Sequence, residues 1–145
     1  MKRIVKFFEP VIEEEEINEV LDTMKSGWLT TGPKVKYFEQ LFSDLYDSNS
    51  QALAVNSATA GLHLALDAFN LKKDQEVILP THTFTATAEV ADYFGAKIVF
   101  SDVEIDSLNI SIDKIKPLIN EKTKVIIPVH FGGLPVDMKQ IYEIC

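Results

Sequence analysis

The sequence lacks the cysteine pairs, long apolar runs and clustered positive charge that are typical of disulfide-stabilised, membrane-spanning and nucleic-acid-binding proteins. Its 145 residues include one cysteine, Cys145, so an internal disulfide is excluded. No apolar run approaches the roughly 20 residues of a membrane helix, and none follows the basic residues Lys2 and Arg3, which argues against a signal peptide. The net charge of −8, with scattered lysines, does not suit a nucleic-acid binder. We therefore expect a cytoplasmic protein without membrane or nucleic-acid partners.

Two common kinds of ligand site are also absent from the sequence. It has no Gly-x-Gly-x-x-Gly segment and no glycine-rich loop ending in a lysine, which are the commonest nucleotide-binding motifs. His82 and His130 are far apart in the chain, and no cysteine or carboxylate is suitably spaced beside them. We therefore expect no metal site.

The spacing of apolar residues predicts two helices followed by alternating strands and helices. The helices are expected over 10–27 and after Pro33, and four short apolar runs read as strands buried on both faces. Strand and helix then alternate, which predicts an α/β fold with a mostly parallel sheet and helices on both faces. The predicted strands are 52–55, 77–79, 98–100 and 125–129, and the later helices are 58–69, 84–94, 112–119 and one from Asp137.

The last predicted helix stops at Cys145 after about two turns, without a residue that ends a helix. We therefore expect the sequence to be the N-terminal piece of a longer protein.

Residues after each predicted strand are candidates for a site, because ligands bind at the carboxyl ends of strands in open parallel sheets. Ser57, Ala58 and Thr59 open a helix with hydroxyl groups and free amides, which suits a phosphate. An ordinary helix cap explains the same residues. Phe84 could present its ring to a flat cofactor, or it could pack in the core. From these residues alone, the cap and the core phenylalanine are the better interpretations.

Segments at the predicted strand ends and in the first loop form an ordered set over nearly the whole chain. In order and spacing, the set resembles the DegT/StrS-type sugar aminotransferases, a family of fold type I enzymes that depend on pyridoxal 5′-phosphate (PLP). No single segment is decisive, and the combination carries the resemblance. The matching segments are 27–33, 38–39, 56–66, 74–80, 83–88, 95–96, 100–103, 123–133 and 135–138.

The resemblance implies the N-terminal portion of the large domain of a fold type I PLP enzyme. Residues 1–32 would form an N-terminal helix and a substrate-side loop, and residues 33–145 would form the first part of the PLP-binding domain. Ala58 and Gly61 depart from the commoner glycine and alanine of the family, but either change keeps a backbone donor.

The resemblance also assigns roles to individual residues. Ser57, Ala58 and Thr59 are expected to hold the PLP phosphate, and Phe84 is expected to stack on its pyridine ring. The expected substrate-side residues are Trp28, Thr30, Thr31, Gly32 and His130.

The implied activity is the transfer of an amino group, from a donor such as glutamate, to a nucleotide-linked keto-sugar by a homodimer in polysaccharide biosynthesis. The Schiff-base lysine and the acid that protonates the pyridine nitrogen are expected beyond Cys145, so this chain alone should be inactive and no catalytic residue is assigned in it. Three alternatives stay open: a PLP-dependent sugar dehydratase of the same family, a non-catalytic regulatory or binding protein on this fold, and a generic α/β nucleotide-binding module.

Overall fold

The computed structural model describes Lys6, residues 8–46 and residues 49–145. The chain divides into two compact units, Met1–Ala54 and Val55–Cys145. The basic residues Lys2 and Arg3 lie outside the described residues. Within the described part, no helix is both long enough and apolar enough to cross a membrane.

The first unit contains the two predicted helices, α1 (Glu14–Ser26) and α2 (Pro33–Tyr46). The amide of Glu13 donates to the carboxylate of Glu16 at 2.7 Å, so the acidic run satisfies a free amide where α1 begins. Gly27 ends α1 in the left-handed conformation, with a φ of 72°. The predicted boundaries of both helices are confirmed to within a few residues.

The second unit is an α/β layer structure whose described residues form a three-stranded parallel sheet in the order β2–β1–β3. The central strand β1 thus has a parallel neighbour on each side. The elements are α3 (Ala58–Ala68), β1 (Glu76–Pro80), α4 (Ala86–Asp92), β2 (Lys97–Ser101), α5 (Ile112–Ile115), β3 (Thr123–Ile126) and α6 (Met138–Ile144). Short 3₁₀ turns cover Lys116–Leu118 and Phe131–Gly133.

The side chains of β1 divide between two hydrophobic clusters, as the pleat of a strand requires. Val77 and Leu79 pack with Leu66 of α3 and Val90 of α4. Ile78 points to the opposite face, in a cluster with α5 and α6. The prediction of a mostly parallel sheet with helices on both faces is therefore confirmed.

The predicted strand at 52–55 is wrong: this segment forms no strand, although the three other predicted strands are present. Its backbone amides bond to side chains of α2 instead. The amide of Ala52 donates to Ser43 Oγ at 3.0 Å, and the amide of Ala54 donates to Glu39 Oε1 at 2.8 Å. These side chains take the place of a strand partner as acceptors for the backbone.

Proline shortens two other predicted elements. The predicted helix 112–119 forms α5 and then a 3₁₀ turn that contains Pro117, because proline lacks the N–H that a helix interior needs. The strand predicted over 125–129 ends at Ile126. The amide of Ile127 still donates to Ile78 O at 2.8 Å, but Pro128 has no donor with which to continue the ladder.

A polar network closes the amino edge of the sheet, where β1 begins. Glu76 is buried, and its carboxylate accepts from Lys97 Nζ at 2.8 Å and from Asn120 Nδ2 at 2.7 Å. The hydrogen bond from Lys97, followed by that from Asn120, lowers the pKa of Glu76 below its ordinary value. The ionised carboxylate therefore links β1 to β2 and to the turn before β3.

We expect Glu76→Gln to weaken the acid dependence of stability. Because the pKa of Glu76 is lower in the folded state, its contribution is present above the ordinary glutamate pKa of about 4.3 and is lost as the pH falls through the folded pKa. The variant should be less stable at neutral pH and should lose less stability on acidification. Thermal denaturation from pH 7 to pH 3 measures this, with the exposed Glu121→Gln as control. Parallel pH curves for wild type and Glu76→Gln would contradict the network.

Candidate functional site

The parallel sheet brings the loops after its strands to one edge. The ladder continues past β1 through the amide of Thr81, which donates to Ser101 O at 2.9 Å. The rings of His82 and Phe131 then meet edge to face, with centroids 4.5 Å apart. This contact joins the loop after β1 to the loop after β3, as expected for a site at the carboxyl edge.

The start of α3 carries free hydrogen-bond donors. Ser57 is the N-cap, and its Oγ accepts from the amide of Ala60 at 3.2 Å, while its carbonyl accepts from Gly61 at 3.2 Å. Within the described residues, the amides of Ala58 and Thr59 and the hydroxyl of Thr59 have no acceptor. Ser57 and Ala58 are exposed and Thr59 is half-buried, so these donors can reach a ligand.

The N-terminus of α3 is capped and can also bind an anion. The helix dipole places partial positive charge at the start of this 11-residue helix, where the donors are free. Ser57 acts as the ordinary cap that its residue type suggests, yet its hydroxyl hydrogen is still available to donate. The residues therefore match the needs of a phosphate group.

Phe84 lies in the loop between β1 and α4, and the structure does not place it in the core. It precedes α4, which begins at Ala86, and 77% of its surface is exposed. The backbone beneath it is fixed, because its carbonyl accepts from the amide of Thr87 at 3.1 Å and the hydroxyls of Thr83 and Thr87 are 2.8 Å apart. The exposed ring can stack on a flat ligand, so the core interpretation is wrong for the described chain.

His130 follows β3 in a defined tautomer. Its Nδ1 accepts from the amide of Val136 at 3.0 Å, so the proton of the neutral ring lies on Nε2. The ring can thus donate a hydrogen bond from Nε2 to a ligand. It belongs to the same unit as Ser57, Ala58, Thr59 and Phe84.

The turn after His130 depends on a residue that the sequence did not single out, Asn109. This side chain is buried, and its Oδ1 accepts from the amide of Phe131 at 2.9 Å. Its Nδ2 donates to Leu134 O at 3.0 Å. The two partners are more than 20 residues away along the chain, so no local spacing pattern could reveal them.

The other expected substrate-side residues belong to the first unit. Trp28 Nε1 donates to Thr31 O at 3.0 Å, which folds the indole back over Gly32. Thr31 therefore supplies a backbone carbonyl that holds the ring. Trp28, Thr30 and Gly32 line a cavity of about 310 Å³ together with neighbours from α1 and α2.

A cluster of one lysine and two carboxylates borders this cavity. The Lys34 ammonium contacts the carboxylates of Glu19 and Asp22, the latter at 2.9 Å. Its hydrogen bond to Glu19, followed by that to Asp22, raises the pKa of Lys34, and the pKa of Asp22 is lowered by the same contact. Lys34 thus stays cationic at neutral pH.

The described residues contain no group of three or more histidine, cysteine, aspartate or glutamate side chains that could hold a metal ion.

The model of the DegT/DnrJ/EryC1/StrS aminotransferase family matches residues 10–145 of the chain. An uncharacterised protein of Methanocaldococcus jannaschii, MJ1066, is 49% identical over 94% of this chain and 35% of its own length. A UDP-4-amino-4-deoxy-L-arabinose–oxoglutarate aminotransferase of Shewanella sediminis is 43% identical over 93% of this chain and 34% of its own length.

A solved structure is also similar to the chain. Spr1654 of Streptococcus pneumoniae, a protein assigned as a sugar aminotransferase and solved in PMP, apo and PLP forms, superposes with a TM-score of 0.87. It is 41% identical and covers 97% of this chain and 35% of its own length in the PMP form. The chain thus spans about 35% of the length of the relatives that it matches.

We expect Gly32→Ala to disrupt the Trp28 loop. A methyl group at Gly32 would lie 2.4 Å from Trp28 Nε1, so the indole must move and its hydrogen bond to Thr31 breaks. Such overpacking costs about 1–3 kcal/mol of folding free energy. Thermal denaturation and the Trp28 indole N–H resonance measure the effect.

Gly61→Ala is the matched control for this substitution. Its methyl group would meet its nearest neighbour, Val55 Cγ2, at 3.7 Å, which is ordinary contact. Alanine in the interior of α3 should stabilise the protein by about 0.5–1 kcal/mol. An unchanged indole resonance in Gly32→Ala would show that the close approach is not needed.

Proposed function

The chain belongs to the DegT/DnrJ/EryC1/StrS aminotransferase family, and on this basis we propose that the protein is a PLP-dependent sugar aminotransferase. The amino group would come from glutamate, and the acceptor would be a nucleotide-linked keto-sugar. The observation that carries the proposal is the set of free donors at the start of α3, on the same unit as the exposed ring of Phe84. The first suits a phosphate and the second suits an aromatic ring, which are the two ends of PLP.

The residues of this chain would bind and orient the cofactor. The amides of Ala58 and Thr59, with the hydroxyls of Ser57 and Thr59, would donate to the phosphate, and Phe84 would stack on the pyridine ring. When bound, PLP supplies an electron sink that allows an amino group to be transferred. The Nε2–H of His130 is available to orient a polar group of the substrate.

The first unit would contribute on the substrate side. Trp28 presents a ring, held by Thr31, at the cavity of the first unit. A ring face suits a sugar or a base. The homodimer, the cytoplasmic location and a role in polysaccharide biosynthesis belong to this proposal, and light scattering of the purified protein tests the dimer.

The proposed transfer is tested on the full-length protein with PLP, L-glutamate and a panel of UDP- and GDP-linked 4-keto-sugars. Formation of 2-oxoglutarate and of an amino sugar, detected by mass spectrometry, supports it. A sugar that loses a hydroxyl instead would point to the dehydratase alternative, and absence of PLP binding would point to a non-catalytic protein.

We expect Thr59→Val to weaken PLP retention in the full-length protein. The substitution removes a hydroxyl that would donate to the charged phosphate and keeps the shape of the side chain. A hydrogen bond to a charged group is worth about 1.5–3 kcal/mol, so the dissociation constant should rise about 10- to 150-fold. PLP titration followed by absorbance measures this change.

Thr123→Val is the control for Thr59→Val. The Thr123 hydroxyl accepts from the amide of Asn120 at 3.0 Å, where β3 begins. Its removal should leave PLP affinity unchanged. Equal affinities of wild type and Thr59→Val would count against the phosphate site.

We expect Phe84→Ala to weaken PLP binding and to shift the visible absorbance of the bound cofactor, because it removes the ring face beneath the pyridine. Phe84→Tyr keeps an aromatic face and should retain both properties. The same titration and spectra measure the effect. If Phe84→Ala keeps the affinity and the spectrum of wild type, the stacking role is wrong.

A further inference from the structure

Asn109 connects two loops at the carboxyl edge of the sheet. It lies on an excursion after β2 that folds back on itself through an antiparallel bridge between Val103 and Ile110. The amide of Glu104 donates to Asn109 O at 2.9 Å, and the amide of Asn109 donates to Ser107 Oγ at 3.2 Å. The backbone of Asn109 is therefore anchored independently of the turn that its side chain contacts.

The turn after β3 needs an external support. Gly132 and Gly133 have φ values of 60° and 80°, a conformation that gives little intrinsic rigidity. Within the described residues, Asn109 supplies the side-chain hydrogen bonds to its backbone, at Phe131 and at Leu134. A residue that holds the first and last positions of a turn fixes the direction in which the turn projects.

This turn connects directly to the proposed site. Phe131 contacts His82, which lies two residues before Phe84 in the loop after β1. His130 immediately precedes the turn, and its Nδ1 accepts from Val136, which follows the turn. Displacement of the turn would therefore move both the His130 ring and the support beneath the loop of Phe84.

We infer that Asn109 is a positioning residue of the cofactor and substrate site, acting through the Phe131–Leu134 turn on His130 and, through His82, on the loop of Phe84. The inference rests on the proposed function. Asn109 does not touch the reacting atoms in this arrangement. Its role is to hold groups that do, and a small displacement of such groups reduces catalytic rates strongly.

A matched control exists at the other edge of the sheet. Asn120 also bonds with both ends of its amide: Nδ2 donates to Glu76 Oε2 at 2.7 Å, and Oδ1 accepts from the amide of Lys122 at 2.9 Å. It lies where the strands begin, away from the loops of the site. Loss of Asn120 removes similar bonds without displacing the turn after β3.

The experiment compares Asn109→Ser and Asn120→Ser in the full-length protein. For each we would measure the thermal midpoint, PLP affinity, and the rate and half-saturation of the half-reaction of the PLP-loaded protein with L-glutamate. Asn109→Ser should lower the maximal half-reaction rate about 10- to 100-fold. Asn120→Ser should change it less than about two-fold, even where it lowers the thermal midpoint as much or more.

A third variant, Asn109→Asp, keeps one of the two side-chain hydrogen bonds to the turn and removes the other. The introduced carboxylate can still accept from the amide of Phe131, but its other oxygen faces Leu134 O and repels it. Its half-reaction rate at pH 8 should therefore be as low as that of Asn109→Ser or lower.

The outcomes distinguish the inference from the function on which it rests. A wild-type protein that binds no PLP would overturn the proposed function and the inference with it. A second outcome would overturn the inference alone. In it the wild type is functional, and the half-reaction rates of the Asn109 and Asn120 variants fall in the same proportion to their losses in thermal midpoint. An Asn109→Asp variant whose half-reaction rate at pH 8 equals that of wild type would also overturn it.

Discussion

The structure of the second unit depends on the burial of β1 between two parallel neighbours and two apolar layers. Val77, Ile78 and Leu79 are fully buried, and their side chains alternate between the α3–α4 cluster and the α5–α6 cluster. A strand that is covered on both faces and paired along both sides cannot shift its register without exposing apolar side chains. The loops that follow β1, β2 and β3 therefore start from fixed positions at the carboxyl edge.

The described residues of the second unit include polar groups that are satisfied within the chain and polar groups that are left open. At the amino edge, the Glu76 carboxylate accepts from Lys97 and Asn120, so these three side chains satisfy one another. At the carboxyl edge Phe84 is exposed, and the same unit leaves the first amides of α3 open. Groups satisfied internally stabilise the fold, whereas groups left open toward water can bind a ligand. The open donors and the exposed ring therefore support the proposed site.

Helices and strands with strong local signals were predictable from the sequence. Local signals fix α1 and β1 to within a few residues. They are the acidic residues at the start of α1, Gly27 at its end, and the continuous run of apolar residues in β1. The 52–55 segment was not predictable, because its apolar character is that of a strand and the acceptors of its amides, Glu39 and Ser43, lie in a separate helix. Asn109 was missed for a similar reason: its partners are distant in sequence, and an isolated asparagine in a turn carries no periodic signal.

The start of α3 shows why residue types alone could not decide between a cap and a phosphate site. The two roles do not compete, because Ser57 Oγ accepts from Ala60 while its own hydrogen and the amides of Ala58 and Thr59 remain free. A capped helix still has more donors than its cap can satisfy. Function at such a terminus is therefore determined by the donors that remain after capping and by what lies beside them. Here the exposed ring of Phe84 and the turn held by Asn109 lie on the same unit, and together they distinguish this terminus from an ordinary capped helix.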